Sequence, residues 1–187
     1  RTGSPLREVP WRGGFVDMTP GIEVVFPDGN RELELVYSGY EIGTMDGLPF
    51  VRFDMKDTHY PFTVSEFIRV NTDLDIMEKW LVLKNTGKDA ITVERAVSGS
   101  ALLPEGSYDL IHLSGDWGRE FFPRRTHLTS GVKSLFVRGM KSQQHAPFFL
   151  IRPSGANDER TGPAWFGMVA WSGNWTIDCE VNRFERT

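Results

Sequence analysis

A chain of 187 residues is long enough to bury a core, and an all-β sandwich of this length remains one domain. Its 40% hydrophobic and 25% charged residues exclude extended disorder. The formal net charge of -4, with basic residues scattered among acidic ones, offers no stripe for phosphates, so nucleic acid is not an expected partner.

The opening Arg1-Thr2-Gly3-Ser4-Pro5 lacks an initiator Met and the charged-then-apolar order of a signal peptide. The chain is therefore expected to be a piece of a longer protein. No apolar run reaches the ~20 residues of a helical membrane span, and no membrane partner is expected.

Residues 23–26 read as a strand, followed by the turn Pro27-Asp28-Gly29-Asn30 and a return arm at 31–40, which together predict a hairpin. In that arm Leu33, Leu35 and Tyr37 alternate with Glu32, Glu34 and Val36, the pattern of a sheet with one buried face. Further strands are predicted at 50–55, 63–70, 76–84 and 91–101, joined by polar turns at 71–75 and 85–89. After Leu103-Pro104-Glu105-Gly106 come strands at 108–113, 132–138, 148–152, 165–171 and 175–181. Residues 153–163 form the longest predicted loop.

Regular short strands and scarce helical periodicity predict an all-β fold of two packed antiparallel sheets. No repeat of constant period points to a propeller. The single Cys179 excludes an internal disulfide framework and a cysteine-rich zinc site. A reduced cytoplasm fits that usage. The sequon Asn174-Trp175-Thr176 falls inside an apparent strand, which argues against glycosylation.

Glycoside hydrolysis usually needs two carboxyls, one held as an acid and one ionised, facing each other across the scissile bond. Asp116 and Glu120 are the first such pair to test; local neutralisation by Arg119 or a backbone N–H is the alternative. Gly115 and Gly118 argue that the segment is a loop, where spacing fixes no distance. Asp73 and Asp75 lie in a turn where Asp serves the backbone.

His59, His112, His127 and His145 share no metal-ligand spacing, so no metal or other cofactor is expected. A phosphate-binding glycine loop and a Gly-x-Ser-x-Gly elbow are both lacking. Among the tryptophans, Trp80, Trp165 and Trp171, with Phe166, lie in or beside apparent strands and are expected to pack in the core. Trp11 and Trp117 lie in apparent loops and are candidates for a sugar-stacking platform.

Several segments in order resemble the amino-terminal β-sandwich of glycoside hydrolase family 36 α-galactosidases. They include Phe26-Pro27-Asp28-Gly29-Asn30-Arg31, Tyr37-Ser38-Gly39-Tyr40-Glu41-Ile42, Leu83-Lys84-Asn85-Thr86-Gly87, Leu113-Ser114-Gly115-Asp116-Trp117-Gly118-Arg119-Glu120 and His145-Ala146-Pro147-Phe148-Phe149. The resemblance implies a galactose mutarotase-like supersandwich packed on a catalytic (β/α) barrel, inside a homo-oligomer that hydrolyses terminal α-galactosides such as raffinose-type sugars with retention.

In that family the catalytic aspartates lie on the barrel, and a barrel needs ~250 residues. No catalytic residue is therefore assigned to this chain, which is expected to be inactive alone. The family's Asp-Phe-Arg type motif, which reaches a sugar site, has its nearest match in Gly14-Phe15-Val16. Asp17 follows it, displaced, as the candidate substrate contact.

Trp117, Arg119, Glu120 and His145 are then expected to be structural or interface residues, Trp117-Gly118-Arg119-Glu120 forming a rigid turn at a domain or subunit boundary. Direct sugar contact is the rival reading. Two other functions remain open: a free carbohydrate-binding sandwich using Trp11 and Trp117, and a mutarotase-like epimerase using His112, His145 and Glu120 in acid/base transfer.

Overall fold

The computed structural model describes residues 9–13, 19–139, 144–155 and 161–182. Among these residues there are twelve strands and no helix, so the chain is all-β. It divides into two compact units, Arg1–Leu102 and Leu103–Thr187. Each unit contains two antiparallel sheets with a core between them.

The first unit contains β1 (Ile22–Val25), β2 (Leu35–Met45), β3 (Leu48–Asp57), β4 (Phe62–Asn71), β5 (Ile76–Asn85) and β6 (Thr92–Ala96). Strands β2 to β5 form a meander, and β1 pairs with β6 in a separate two-stranded sheet. Ile22 and Val24 of β1 face Leu35, Phe62 and Val64 of the meander, with Phe26 and Leu33 completing the cluster. Fully burying an aliphatic or aromatic side chain of this size contributes about 1.5–3 kcal/mol.

The β2–β3 connection is a two-residue turn, with Met45 opposite Leu48 and positive φ at both Asp46 (54°) and Gly47 (81°). Positive φ at both central residues favours Asp-Gly and matches the twist of the strands.

One expectation is corrected here. The turn at 27–30 forms, with the Phe26 amide donating to the Asn30 carbonyl at 2.9 Å, but its flanks are not a hairpin. Strand β1 pairs with β6, and β2 starts only at Leu35 and pairs with β3. The chain crosses from one sheet to the other because Phe26, Leu33 and Leu35 are all buried in the space between them. Tyr37 keeps the face of Leu35, opposite Met55, yet it is exposed rather than buried with Leu33 and Leu35; beyond it a bulge between Tyr37 and Gly39 shifts the register.

The second unit contains β7 (Tyr108–Ser114), β8 (Phe122–His127), β9 (Gly131–Val137), β10 (His145–Pro153), β11 (Trp165–Met168) and β12 (Trp175–Val181). The four-stranded sheet has the order β11-β10-β7-β8, and β9 pairs with β12. Tyr108, Leu110 and Ile151 from the larger sheet meet Leu135, Val137, Trp175, Cys179 and Val181 from the smaller.

Strand β8 is absent from the sequence reading. It carries Pro123 and exposed side chains, so it shows no alternation, and its place at the sheet edge is where a strand tolerates proline. Cys179 is buried, and burial first, with the Asp178 charge, pushes its thiol up to about 11. Asn174 Oδ1 accepts the Gly139 amide at 2.7 Å and is engaged in the fold.

Candidate functional site

Strands β7 and β8 are joined by residues 115–121, the segment that contains Asp116, Trp117, Arg119 and Glu120. Ser114 stands opposite Phe122 and closes the ladder. The Arg119 amide donates to the Asp116 carbonyl at 2.8 Å, and the Gly118 amide donates to Glu120 Oε1 at 3.0 Å. A Cβ on Gly115 would lie 1.8 Å from the Arg119 carbonyl oxygen. Only glycine fits there.

Asp116 and Glu120 therefore sit on an exposed hairpin tip, with Glu120 turned back onto its own loop. They do not face each other across an enclosed bond. Arg119 is exposed and Trp117 is 84% exposed among the described residues.

Below this loop, His145 begins β10 opposite Ser114, and His112 lies on β7 opposite Arg124 of β8. The register places Ser114, Phe122, Arg124, His112 and His145 on one sheet face, at the end of the second unit's core. The His112 and His145 rings meet edge to face with centroids 5.3 Å apart. His112 is only 5% exposed, and Nδ1 of both rings is buried without a hydrogen-bond partner among the described residues.

Burial, then the His145, Lys133 and Arg124 charges, lowers the His112 pKa below its ordinary value. Burial, then Lys133, does the same for His145. Sequence spacing does not reveal this pair, because sheet pairing across 33 residues of chain brings the rings together.

A second polar cluster escapes the sequence reading. Asp109 is 4% exposed on β7. His127 Nδ1 and Ser154 Oγ each lie 3.0 Å from its Oδ1, and Arg125 bonds its Oδ2. Burial alone would push this carboxyl up, but hydrogen bonds from Arg125, His127 and Ser154 outweigh it and hold the pKa below the usual carboxylate range.

A serine, a histidine and an aspartate are thus in contact. The arrangement is not a nucleophile-activating relay, which needs serine and carboxylate on opposite ring nitrogens; here Ser154 Oγ also lies 3.0 Å from Nδ1. The visible signal was Asp109 inside an otherwise apolar strand, with Arg125 and His127 two residues apart on its neighbour.

The other nominated residues serve the fold or the surface. Trp11 is half-buried against the first unit's core and bridges to Ile22, so it is not a free platform. Trp80 leaves the expected core position: it stacks on Phe67 with centroids 5.0 Å apart, beneath the Arg69 guanidinium, on the sheet face opposite Leu81. Trp165 packs against Tyr108 as expected, whereas Phe166 and Trp171 are exposed, because β11 is an edge strand ending at Met168.

His59 Nε2 lies 3.1 Å from Glu34 at the surface. In the 71–75 turn, Asn71 Oδ1 accepts the amides of Asp73 and Leu74, so Asn71 rather than either aspartate caps it. Asp17 lies outside the described residues. No group of three His, Cys, Asp or Glu that could hold a metal ion occurs among the described residues.

Antiparallel sheets paired around a core in each unit define a β-sandwich class of fold. The profile of the glycosyl hydrolase family 36 N-terminal domain matches residues 3–187, and the chain belongs to that family. Alpha-galactosidase AgaA of Geobacillus stearothermophilus is 29% identical over 195 residues, covering 96% of this chain and 27% of the relative. Alpha-galactosidase 2 of Hypocrea jecorina is 27% identical over 194 residues, 95% of this chain and 26% of the relative.

The chain thus spans about a quarter of the curated relatives' length, 27% and 26% in these two. Among solved structures, the family 36 α-galactosidase AgaB of Geobacillus stearothermophilus matches with a TM-score of 0.89 at 24% identity, covering 100% of this chain and 30% of that one. This likeness shows the fold. AgaA variants from the same organism have been solved in complex with stachyose and with raffinose.

Proposed function

We propose that this chain is the non-catalytic N-terminal domain of a retaining α-galactosidase that acts on terminal α-galactosides of the raffinose type. The observation that carries the reading is the family match over residues 3–187, in a chain covering only 27% of its α-galactosidase relative. One profile spanning both compact units supports treating residues 1–187 as one functional domain. The catalytic carboxylates then belong to a barrel outside this sequence, and the domain supports barrel packing, oligomer contacts and the substrate pocket, with Asp17 as a candidate sugar contact.

The second halves of β2 to β5 support a docking role. On the sheet face that carries the first unit's core, Tyr40, Ile42, Phe53, Val70 and Met77 continue beyond the β1-β6 cover and are exposed, Ile42 to 72%. Contiguous apolar surface of this kind marks an interaction site. Raffinose incubated with the full gene product should release galactose as the α-anomer first, followed by NMR, while residues 1–187 alone release none. Release of the β-anomer first would contradict retention.

One observation favours a second reading. Trp117, at 84% exposure, could stack a sugar without a barrel. Galactoside affinity of the 187-residue chain that disappears in Trp117→Ala would establish that module.

A further inference from the structure

The four-stranded sheet of the second unit carries apolar side chains on both faces. Leu110 of β7 and Ile151 of β10 are buried in the unit's core, with Phe149 and Trp165 packed against it. Successive side chains of a strand point to opposite faces, so Ile111, Leu113, Phe148, Leu150, Phe166 and Met168 face outward. None of them belongs to that core. The register gathers them: Phe166, Leu150 and Ile111 stand side by side across β11, β10 and β7, and Met168 stands opposite Phe148.

This outer face is open among the described residues. Phe166 is 64% and Met168 69% exposed, and Ile111, Leu113, Phe148 and Leu150 are only half-buried. The sequence carries the same signal, because Leu110-Ile111 and Phe148-Phe149-Leu150-Ile151 are unbroken apolar runs. A sheet with one solvated face alternates apolar and polar residues, whereas an unbroken run suits a strand covered on both sides. The outer face of the first unit's meander shows the solvated case, with Glu41 paired to Arg52 and Arg69 to Glu78.

Chain length and position indicate what covers the second unit's sheet. The match takes up only 27% and 26% of two relatives, so the larger part of such a polypeptide is available as a cover. The last described strand, β12, ends at Val181 opposite Gly131. Gly131 comes shortly after His127, where β8 ends beside Asp109, so β12 leads toward one end of the four-stranded sheet. A tethered segment acts at an effective concentration of roughly millimolar, an advantage that a second copy lacks.

We propose that the outer face of the β11-β10-β7-β8 sheet, centred on Ile111, Leu150 and Phe166, is covered by an apolar segment of the same polypeptide beyond residues 1–187. The sheet is then the middle layer of three. This rests on the reading of the chain as the N-terminal part of a longer α-galactosidase. It adds a second docking surface, separate from the first unit's meander, and commits it to one occupant.

Photocrosslinking of the full gene product carrying Phe166→p-benzoylphenylalanine tests it, because the excited ketone inserts only into C–H bonds that touch it. The expected product, in the monomer band of a denaturing gel, joins position 166 to a peptide outside residues 1–187. No link, a link only within residues 1–187, or a link only in the dimer band would overturn the proposal, the last by assigning the cover to a second copy.

Met168 of the unsubstituted full protein gives a reading that needs no bulky ketone. At 69% exposure an uncovered thioether should be oxidised by hydrogen peroxide nearly as fast as in the denatured protein, since susceptibility follows access. A covered one should form sulfoxide several-fold more slowly, and oxidation at the denatured rate would overturn the proposal. α-Galactosidase activity of the same unsubstituted sample separates the two claims. An active enzyme without the link or the protection refutes the cover alone, and an inactive one refutes the functional reading.

Discussion

The outer face of the first unit's meander and the inner corner of the second unit treat their polar groups in opposite ways. On the meander, Glu41, Arg52, Phe67 and Trp80 form one row across the four strands, and Phe50, Arg69 and Glu78 stand in the next. Arg52 bonds Asp54 and Glu41, Ser65 donates to Asp54 at 2.6 Å, and Arg69 bonds Glu78 and Asp46. Every charge in this network has a partner within its own sheet.

At the second unit's corner, by contrast, the buried His112 imidazole meets the half-buried His145 ring, and Nδ1 of both has no hydrogen-bond partner among the described residues. A surface that completes itself is finished by folding. A corner that buries polar atoms without partners among the described residues lowers the stability that the fold could have had.

The comparison can be broken most forcefully through the cores. Phe62→Ala in the first unit and Leu110→Ala in the second each remove a fully buried side chain. Losses of about 3–5 and 2–5 kcal/mol are expected in denaturant titrations. A cost near zero in either would show that the unit's core is not as described.

Asp109→Ala should come next. The carboxylate is buried, but Arg125 is half-exposed and solvent-screened, so the loss should fall toward about 2 kcal/mol rather than the full cost of breaking a buried pair. The pH dependence has a fixed sign. A carboxyl whose folded pKa is lowered contributes stability that is fully present above its unfolded value near ~3.9 and is lost as pH falls through the folded value. Asp109→Asn should flatten that acid limb of an unfolding curve.

Gly115→Ala forces a Cβ to within 1.8 Å of the Arg119 carbonyl. The hairpin must open, at a cost of about 1–3 kcal/mol. Amide exchange in residues 115–121 should rise while the two cores stay protected.

His112→Phe sharpens the contrast most directly. Replacing an unpaired buried polar group by an apolar one of similar shape is near neutral or stabilising, so the change should cost under ~1 kcal/mol in this chain. Because folding lowers the His112 and His145 pKa values, the unfolded state takes up protons first, and stability should fall as pH drops below about 6.5. The variant should reduce that slope. The smallest effect is expected from Arg52→Ala, whose pairs with Glu41 and Asp54 are partly exposed and solvent-screened, so the denaturation midpoint should barely move.

Strands with alternating or apolar runs were legible in the sequence: residues 175–181 match β12, and 63–70 lie within β4. Pairing was less legible. Pro27-Asp28-Gly29-Asn30 specifies a turn equally well between paired strands or between sheets, and burial of Phe26 and Leu33 decided for the latter.

Strand β8 was hidden because an exposed edge strand needs no hydrophobic period, as Pro123-Arg124-Arg125 shows. At the candidate site, the glycines around Trp117 correctly indicated a loop, and the family motif singled out His145. The meeting of His145 with His112, and of Asp109 with His127 and Ser154, depends on register between strands distant in sequence, which local pattern does not encode.

The central claim, that this domain serves a catalytic centre located elsewhere in its polypeptide, is tested most directly by release of 4-nitrophenol from 4-nitrophenyl α-galactoside. The 187-residue chain and the full gene product should be assayed side by side. Activity confined to the full protein is the predicted result. Activity in the 187-residue chain would contradict it and return Asp116 and Glu120 to consideration as a catalytic pair.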